Sequence, residues 1–260
     1  NQETTLFSGS LSGAGGLTKV GNGTLNLTSA NTHSGDTLMV GGMIVLANAN
    51  ALQNSTLDTG TAGNQSVNFT LGEGVTNNLG GLKGSANLDL AVGHLSVGSN
   101  NQSTTFTGAI QGPFNNNVTK VGTGTLTLTG ANTYGGTTTV STGTLQVGNA
   151  GAGQTGTGAV SVANGASVTG SGFVRGSSAT FASGSTLRPG DTVADSSHST
   201  LTFAPIGVGT YNLQAGSNIV LGLSTPTTND ATNGNNVLGT PGYDLWVDTV
   251  AGVGSHDRLV

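Results

Sequence analysis

One long stretch of this chain occurs twice. Thr18-Lys19-Val20-Gly21-Asn22-Gly23-Thr24-Leu25-Asn26-Leu27-Thr28 returns about 100 residues later as Thr119-Lys120-Val121-Gly122-Thr123-Gly124-Thr125-Leu126-Thr127-Leu128-Thr129. The likeness runs on, with Ala30-Asn31-Thr32-His33 answered by Ala131-Asn132-Thr133-Tyr134. It also runs backwards, from Phe7-Ser8-Gly9 to Phe106-Thr107-Gly108. Two copies result, near residues 7–49 and 106–150. A segment that recurs whole is a structural unit, and units that cannot bury an apolar face alone do so by stacking.

The period inside the unit sets its secondary structure. Thr125-Leu126-Thr127-Leu128-Thr129 alternates strictly, which predicts a strand with leucine on one face and threonine on the other. Short strands then keep arriving between Gly, Asn and Ser corners, among them Thr137 to Val140, Thr144-Leu145-Gln146-Val147 and Ala159-Val160-Ser161-Val162. No segment carries helical spacing. The 46 glycines would each cost about 1 kcal/mol in a helix interior.

Short strands and frequent turns fit a sandwich, a barrel or a solenoid. A thin column of stacked coils suits small apolar side chains, and only 4% of residues are aromatic, with one tryptophan, Trp246. With the repeat, this selects an all-β fold: a β-solenoid, one unit over residues 1–260. At about 20–25 residues per turn the chain makes about ten to twelve turns. At about 4.8 Å per rung the rod is on the order of 50 Å long. The stretch from Ser224-Thr225-Pro226 to Thr240-Pro241 is expected to leave the stack as a loop.

Charge excludes one class of partner. Only 7% of residues are charged, and Lys19, Lys83, Lys120, Arg175, Arg188 and Arg258 stand singly. Scattered cations cannot neutralise a row of phosphates, so no nucleic-acid partner is expected. These six read as isolated surface charges. Without cysteine there is neither a disulfide nor a thiolate site. The polar start Asn1-Gln2-Glu3 leads us to expect that any export leader is already gone. The end, Asp257-Arg258-Leu259-Val260, falls inside a strand pattern and suggests a piece of a longer chain.

The pattern Leu17-Thr18-Lys19-Val20-Gly21-Asn22-Gly23-Thr24-Leu25 with Ala30-Asn31-Thr32, and its second copy from Val118 to Thr137, resembles the passenger-associated β-strand repeat of bacterial autotransporters. Leu187-Arg188-Pro189-Gly190, Leu201-Thr202-Phe203 and Ile219-Val220-Leu221 are similar to the end of such passenger stalks. The resemblance implies a right-handed parallel β-helix, exported through an outer-membrane translocator barrel in the parent chain. It further implies display on, or release from, the exterior of a Gram-negative cell.

No residue pattern points to catalysis. No Gly-Asp-Ser-Gly element of serine-protease passengers is present, Gly190-Asp191-Thr192 being the nearest approach. His33, His94, His198 and His256 show no partner pattern, and His33, which answers Tyr134, reads as a turn residue. Asp244 and Asp248, four apart around Leu245-Trp246-Val247, share one strand face, as the clustered carboxylates of a carbohydrate-active β-helix would, but the polar outer face of an ordinary strand explains them better. Calcium loops of the Gly-Gly-x-Gly-x-Asp kind are absent. Threonine runs such as Thr125, Thr127 and Thr129 read as ordinary outward positions, because the pattern returns only after about 100 residues.

The expectation is therefore no catalytic, cofactor-binding or metal residue, no cofactor and no small-molecule substrate. The function expected is a secreted or surface-displayed structural and adhesive module that associates with itself or with host matrix. The alternatives are a polysaccharide-active enzyme and an inert stalk presenting another domain.

Overall fold

The computed structural model describes residues 3–113, 115–149, 152–190, 201–204 and 210–219. Among them every element is a strand, from Thr4–Phe7 to Asn218–Ile219, and every strand pairing is parallel. Each strand lies on the one a turn earlier: Leu17 pairs with Thr37, Val118 with Thr138 and Val160 with Ala179. The described residues thus wind as a β-solenoid of about nine turns. Most turns fall near the expected length, but one is long, from Ser178 to Thr210. The expected loop between Ser224 and Pro241 lies outside the described residues.

Three ladders run along the coil. The first passes through Leu17–Lys19, Thr37–Met39 and the ends of Leu52–Asp58 and Thr76–Lys83, where Leu57 pairs with Leu82. It continues by a Gly84–Phe106 bridge into Thr104–Phe106, Thr125–Leu128 and Thr144–Val147. The second starts where Leu52 pairs with Leu79 and climbs through His94–Val97, Val118–Lys120, Thr138–Val140 and Val160–Val162. The third holds Thr4–Phe7, Thr24–Leu27, Met43–Leu46 and Ser66–Phe69, and carries on in shorter pairings such as Leu88 with Ile110.

The long strands Leu52–Asp58 and Thr76–Lys83 serve two ladders each, because a register shift between Leu52 and Thr56 carries them round a corner. As a result the two repeat copies face different ways. Leu17–Lys19 opens the first copy on the first ladder, while Val118–Lys120 opens the second copy on the second ladder. Thr125–Leu128 then takes the first ladder. A repeat is therefore a strand–corner–strand unit that fits any side of the coil, and the copies are not separated by a whole number of turns.

The core is a set of columns rather than a ball. Leu27, Leu46 and Phe69 stack inward, as do Phe106, Leu128 and Val147, and Leu95 on Val118, with Thr138 the rung between Val118 and Val160; each is no more than 2% exposed. Fully burying such a side chain contributes about 1.5–3 kcal/mol. Strand alternation supplies these columns with every second residue, which is why leucine and valine alternate with hydroxyl-bearing neighbours.

Candidate functional site

The repeat's most specific residues turn inward. Lys19 and Lys120 end their strands at inward parity and are 8% and 2% exposed, so they are not the isolated surface charges expected. Lys120 Nζ donates to the carbonyls of Val121 at 2.7 Å, Gly122 at 2.8 Å and, one turn on, Thr142 at 3.4 Å. Lys19 Nζ donates likewise to Val20 at 2.9 Å, Gly21 at 2.8 Å and Gly41 at 3.0 Å. Alternation leaves the lysine no other direction, and the glycine turn after it aims its carbonyls at the ammonium. Burial pushes Lys120 down to about 8, so it still carries its charge at neutral pH. Gly143 in the next turn has φ 67°, and a methyl group there would stand 2.9 Å from Lys120 Nζ. The same methyl group would also press on the carbonyl oxygens of Gly122 and Gly124, so this position has no room for a side chain.

The Ala-Asn-Thr corner works in the same way. Asn132 Oδ1 accepts the Ile110 N–H at 2.7 Å from the turn below, and Nδ2 donates to the Gln154 carbonyl at 2.5 Å above. Asn31 does the same between Leu11 and Ala51 at 2.8 and 2.9 Å. The side-chain amide takes the place of a peptide group where the ladder breaks at the corner. Asn132→Ala is expected to cost about 2 kcal/mol, since it leaves a buried donor and a part-buried acceptor unmet. The urea midpoint followed by circular dichroism measures it.

His33 and Tyr134 sit at corners, as expected of a turn residue, but their side chains are core: they are 3% and 0% exposed. Each bonds a threonine hydroxyl four residues on. His33 Nε2 lies 3.1 Å from Thr37 Oγ1, and Tyr134 Oη lies 2.8 Å from Thr138 Oγ1. His94 Nδ1 accepts the Asn117 N–H at 3.2 Å. His198, His256, Asp191, Asp244, Trp246 and Asp248 lie outside the described residues. Among the described residues no group of three or more His, Asp or Glu could hold a metal ion, and no helix is long and apolar enough to cross a membrane.

What faces outward differs from side to side. On the first ladder Lys83 Nζ contacts Asp36 Oδ2 at 2.5 Å and Asp58 Oδ2 at 3.7 Å, tying successive turns together at the surface. The bond to Asp36 raises the Lys83 ionisation. Such exposed pairs contribute at most about 1 kcal/mol. The second ladder carries no charge in its middle outward column. Asn78, Ser96, Thr119, Thr139, Ser161, Thr180 and Asn212 follow one another rung by rung. At about 4.8 Å per rung the column is roughly 30 Å long. Thr137 flanks it, with its hydroxyl and N–H both held by Asn117 Oδ1 at 3.0 and 2.9 Å. The sequence alone does not show this surface, because its rungs mix Asn, Ser and Thr: Ser96 lies between Asn78 and Thr119, and Ser161 between Thr139 and Thr180.

Residues 17–46 and 118–147 match the family described as passenger-associated-transport-repeat. The first match spans the Lys19 and Asn31 corners, the second the Lys120 and Asn132 corners. The chain is also similar to the protein named adhesin BmaC autotransporter of Brucella suis biovar 1 (strain 1330), with 34% identity over 146 residues. That stretch is 55% of this chain and 4% of the relative, so the chain corresponds to a small part of that protein's length. No solved structure matches the chain significantly.

Proposed function

We propose that this chain, an autotransporter passenger segment on the outer surface of a Gram-negative cell, is a non-catalytic stalk whose uncharged hydroxyl face adheres to matrix, neighbouring cells or other copies of itself. The observation that supports this most is the column from Asn78 to Asn212, seven rungs of small groups, each of which both donates and accepts hydrogen bonds. A flat face of this kind complements another like it, and with a formal net charge of only -5 little repulsion keeps two rods apart. The lysine and asparagine clamps supply rigidity, and export is assigned to an outer-membrane barrel in the parent chain.

Beads coated with the chain are expected to clump. Replacing Thr119, Thr139, Ser161 and Thr180 together by lysine is expected to return them to the dispersion of bare beads, with an unchanged circular dichroism spectrum. Clumping that survives the four lysines would move the adhesive surface elsewhere, and no clumping at all would refute adhesion between copies. The carbohydrate-active alternative rests on Asp244, Trp246 and Asp248, and no observation favours it.

A further inference from the structure

The second repeat places a tyrosine where the first places a histidine, and the surroundings of that histidine are unusual. Thr37 Oγ1 lies 2.8 Å from Ser55 Oγ, which donates to the Gly35 carbonyl at 2.7 Å. Read from that end, the chain assigns every proton. Ser55 spends its hydrogen on the carbonyl, so it accepts from the Thr37 hydroxyl. Thr37 in turn accepts from His33, which must therefore carry its proton on Nε2. Nδ1 is left as the lone-pair nitrogen, buried and without a hydrogen-bond partner. A proton arriving there would create a buried cation with neither an acceptor nor a counter-charge.

Among the described residues no charge near His33 is free to offset that cation. On the packed elements, Lys19 ends Leu17–Lys19 with its ammonium among carbonyls, and Asp36 precedes Thr37–Met39. Asp58 ends Leu52–Asp58, and both acids are engaged by Lys83 on the outer surface. Segment 8–18 contributes no ionisable side chain.

We propose that His33 makes the first repeat an acid-released lock: protonation of Nδ1 opens the coil around residues 31–57, while the second repeat, with Tyr134 in that place, stays shut. Burial lowers the His33 ionisation from its ordinary 6.5, and pushes that of Tyr134 up, far from mild acid. A histidine depressed in the folded state contributes stability that is fully present above pH 6.5. That stability is lost as pH falls through the window below, because the open chain then binds a proton that the closed chain refuses. One proton of difference shifts the opening equilibrium by up to about tenfold per pH unit.

Hydrogen–deuterium exchange of the whole chain at pH 7.5 and 5.0, corrected for intrinsic exchange, tests this. Peptides covering 31–57 are expected to gain up to about tenfold in opening per pH unit below 6.5, and peptides covering 132–160 are not. His33→Gln, which keeps a donor to Thr37 but cannot ionise, is expected to abolish the gain. An equal response of the two repeats, or an unchanged response in His33→Gln, overturns the proposal. Should that variant not fold, nitrogen NMR of the unaltered protein decides. The Nε2–H tautomer with a midpoint below 6.5 supports the lock, and an Nδ1–H tautomer or a midpoint at or above 6.5 sinks it.

Discussion

Gly122→Ala is expected to cost about 4 kcal/mol or more, a loss reserved for severe packing faults, while Gly165→Ala costs about 1 kcal/mol. The two glycines have nearly the same backbone conformation, φ 72° and 74°. Placing alanine in that left-handed region therefore costs the same conformational energy at both. Their surroundings differ completely. A methyl group on Gly165 would meet nothing within 4 Å, whereas on Gly122 it would run into the Gly98 carbonyl oxygen and approach Asn101 Oδ1 at 2.9 Å. Gly98 belongs to the turn beneath, and neither turn can withdraw without breaking the ladder bonds on either side, such as Val121 N–H to the Val97 carbonyl at 2.8 Å. The difference in urea midpoint thus reads out how rigidly two coils are spaced. Equal losses would mean that the stack relaxes freely around an extra methyl group, and that rung spacing is not what demands glycine in the repeat.

Alternation and punctuation made the architecture legible. Thr125 to Thr129 named a strand and its leucine face, Gly and Asn named the corners, and scarce aromatics argued for a thin core; Leu126, Leu128, Val140 and Val147 are all buried, and so is Thr127, which was expected to face outward but is covered beside Gln146. Which side of the coil each copy occupies was not legible, because that depends on Leu52–Asp58 and Thr76–Lys83 rounding a corner with no break in composition to mark it. The inward lysines were within reach of the same parity rule. Val118 and Lys120 share a face, so once Val118 is core, Lys120 must be too, and treating charge as a surface marker hid this. Proteins rarely bury an ammonium, but they do so where acceptors converge, and a glycine turn following a strand end is such a place. The hydroxyl column could not be read at all. Its members come from different turns of unequal length, and only the register aligns Ser96 with Thr119 and Ser161 with Thr180.

Lys120→Met is expected to lower stability by about 3 kcal/mol, although it puts an apolar side chain of similar length into an almost wholly buried position. Two effects compete. Removing the ammonium abolishes the cost of keeping a charge out of water, and that alone would favour methionine. Against this, the carbonyls of Val121, Gly122 and Thr142 stay where the turn holds them, aimed at a thioether that cannot donate. Each of these part-buried acceptors left unmet costs about 1 kcal/mol, the low end of the range for buried groups, so even partial relief by the Thr142 hydroxyl, which also donates to the Gly122 carbonyl at 3.2 Å, leaves a deficit. The acceptors outnumber the charge, and the loss prevails. Because the clamp is ammonium to carbonyl rather than an ion pair, raising salt to 1 M should leave that loss unchanged. Lys19→Met should cost a similar amount in the first repeat. The two losses should add, since the clamps lie several turns apart and share no acceptor. A methionine variant as stable as the parent would mean that the ammonium is only tolerated in the core, and the fixed Lys-Val-Gly order of the repeat would then need a reason outside folding.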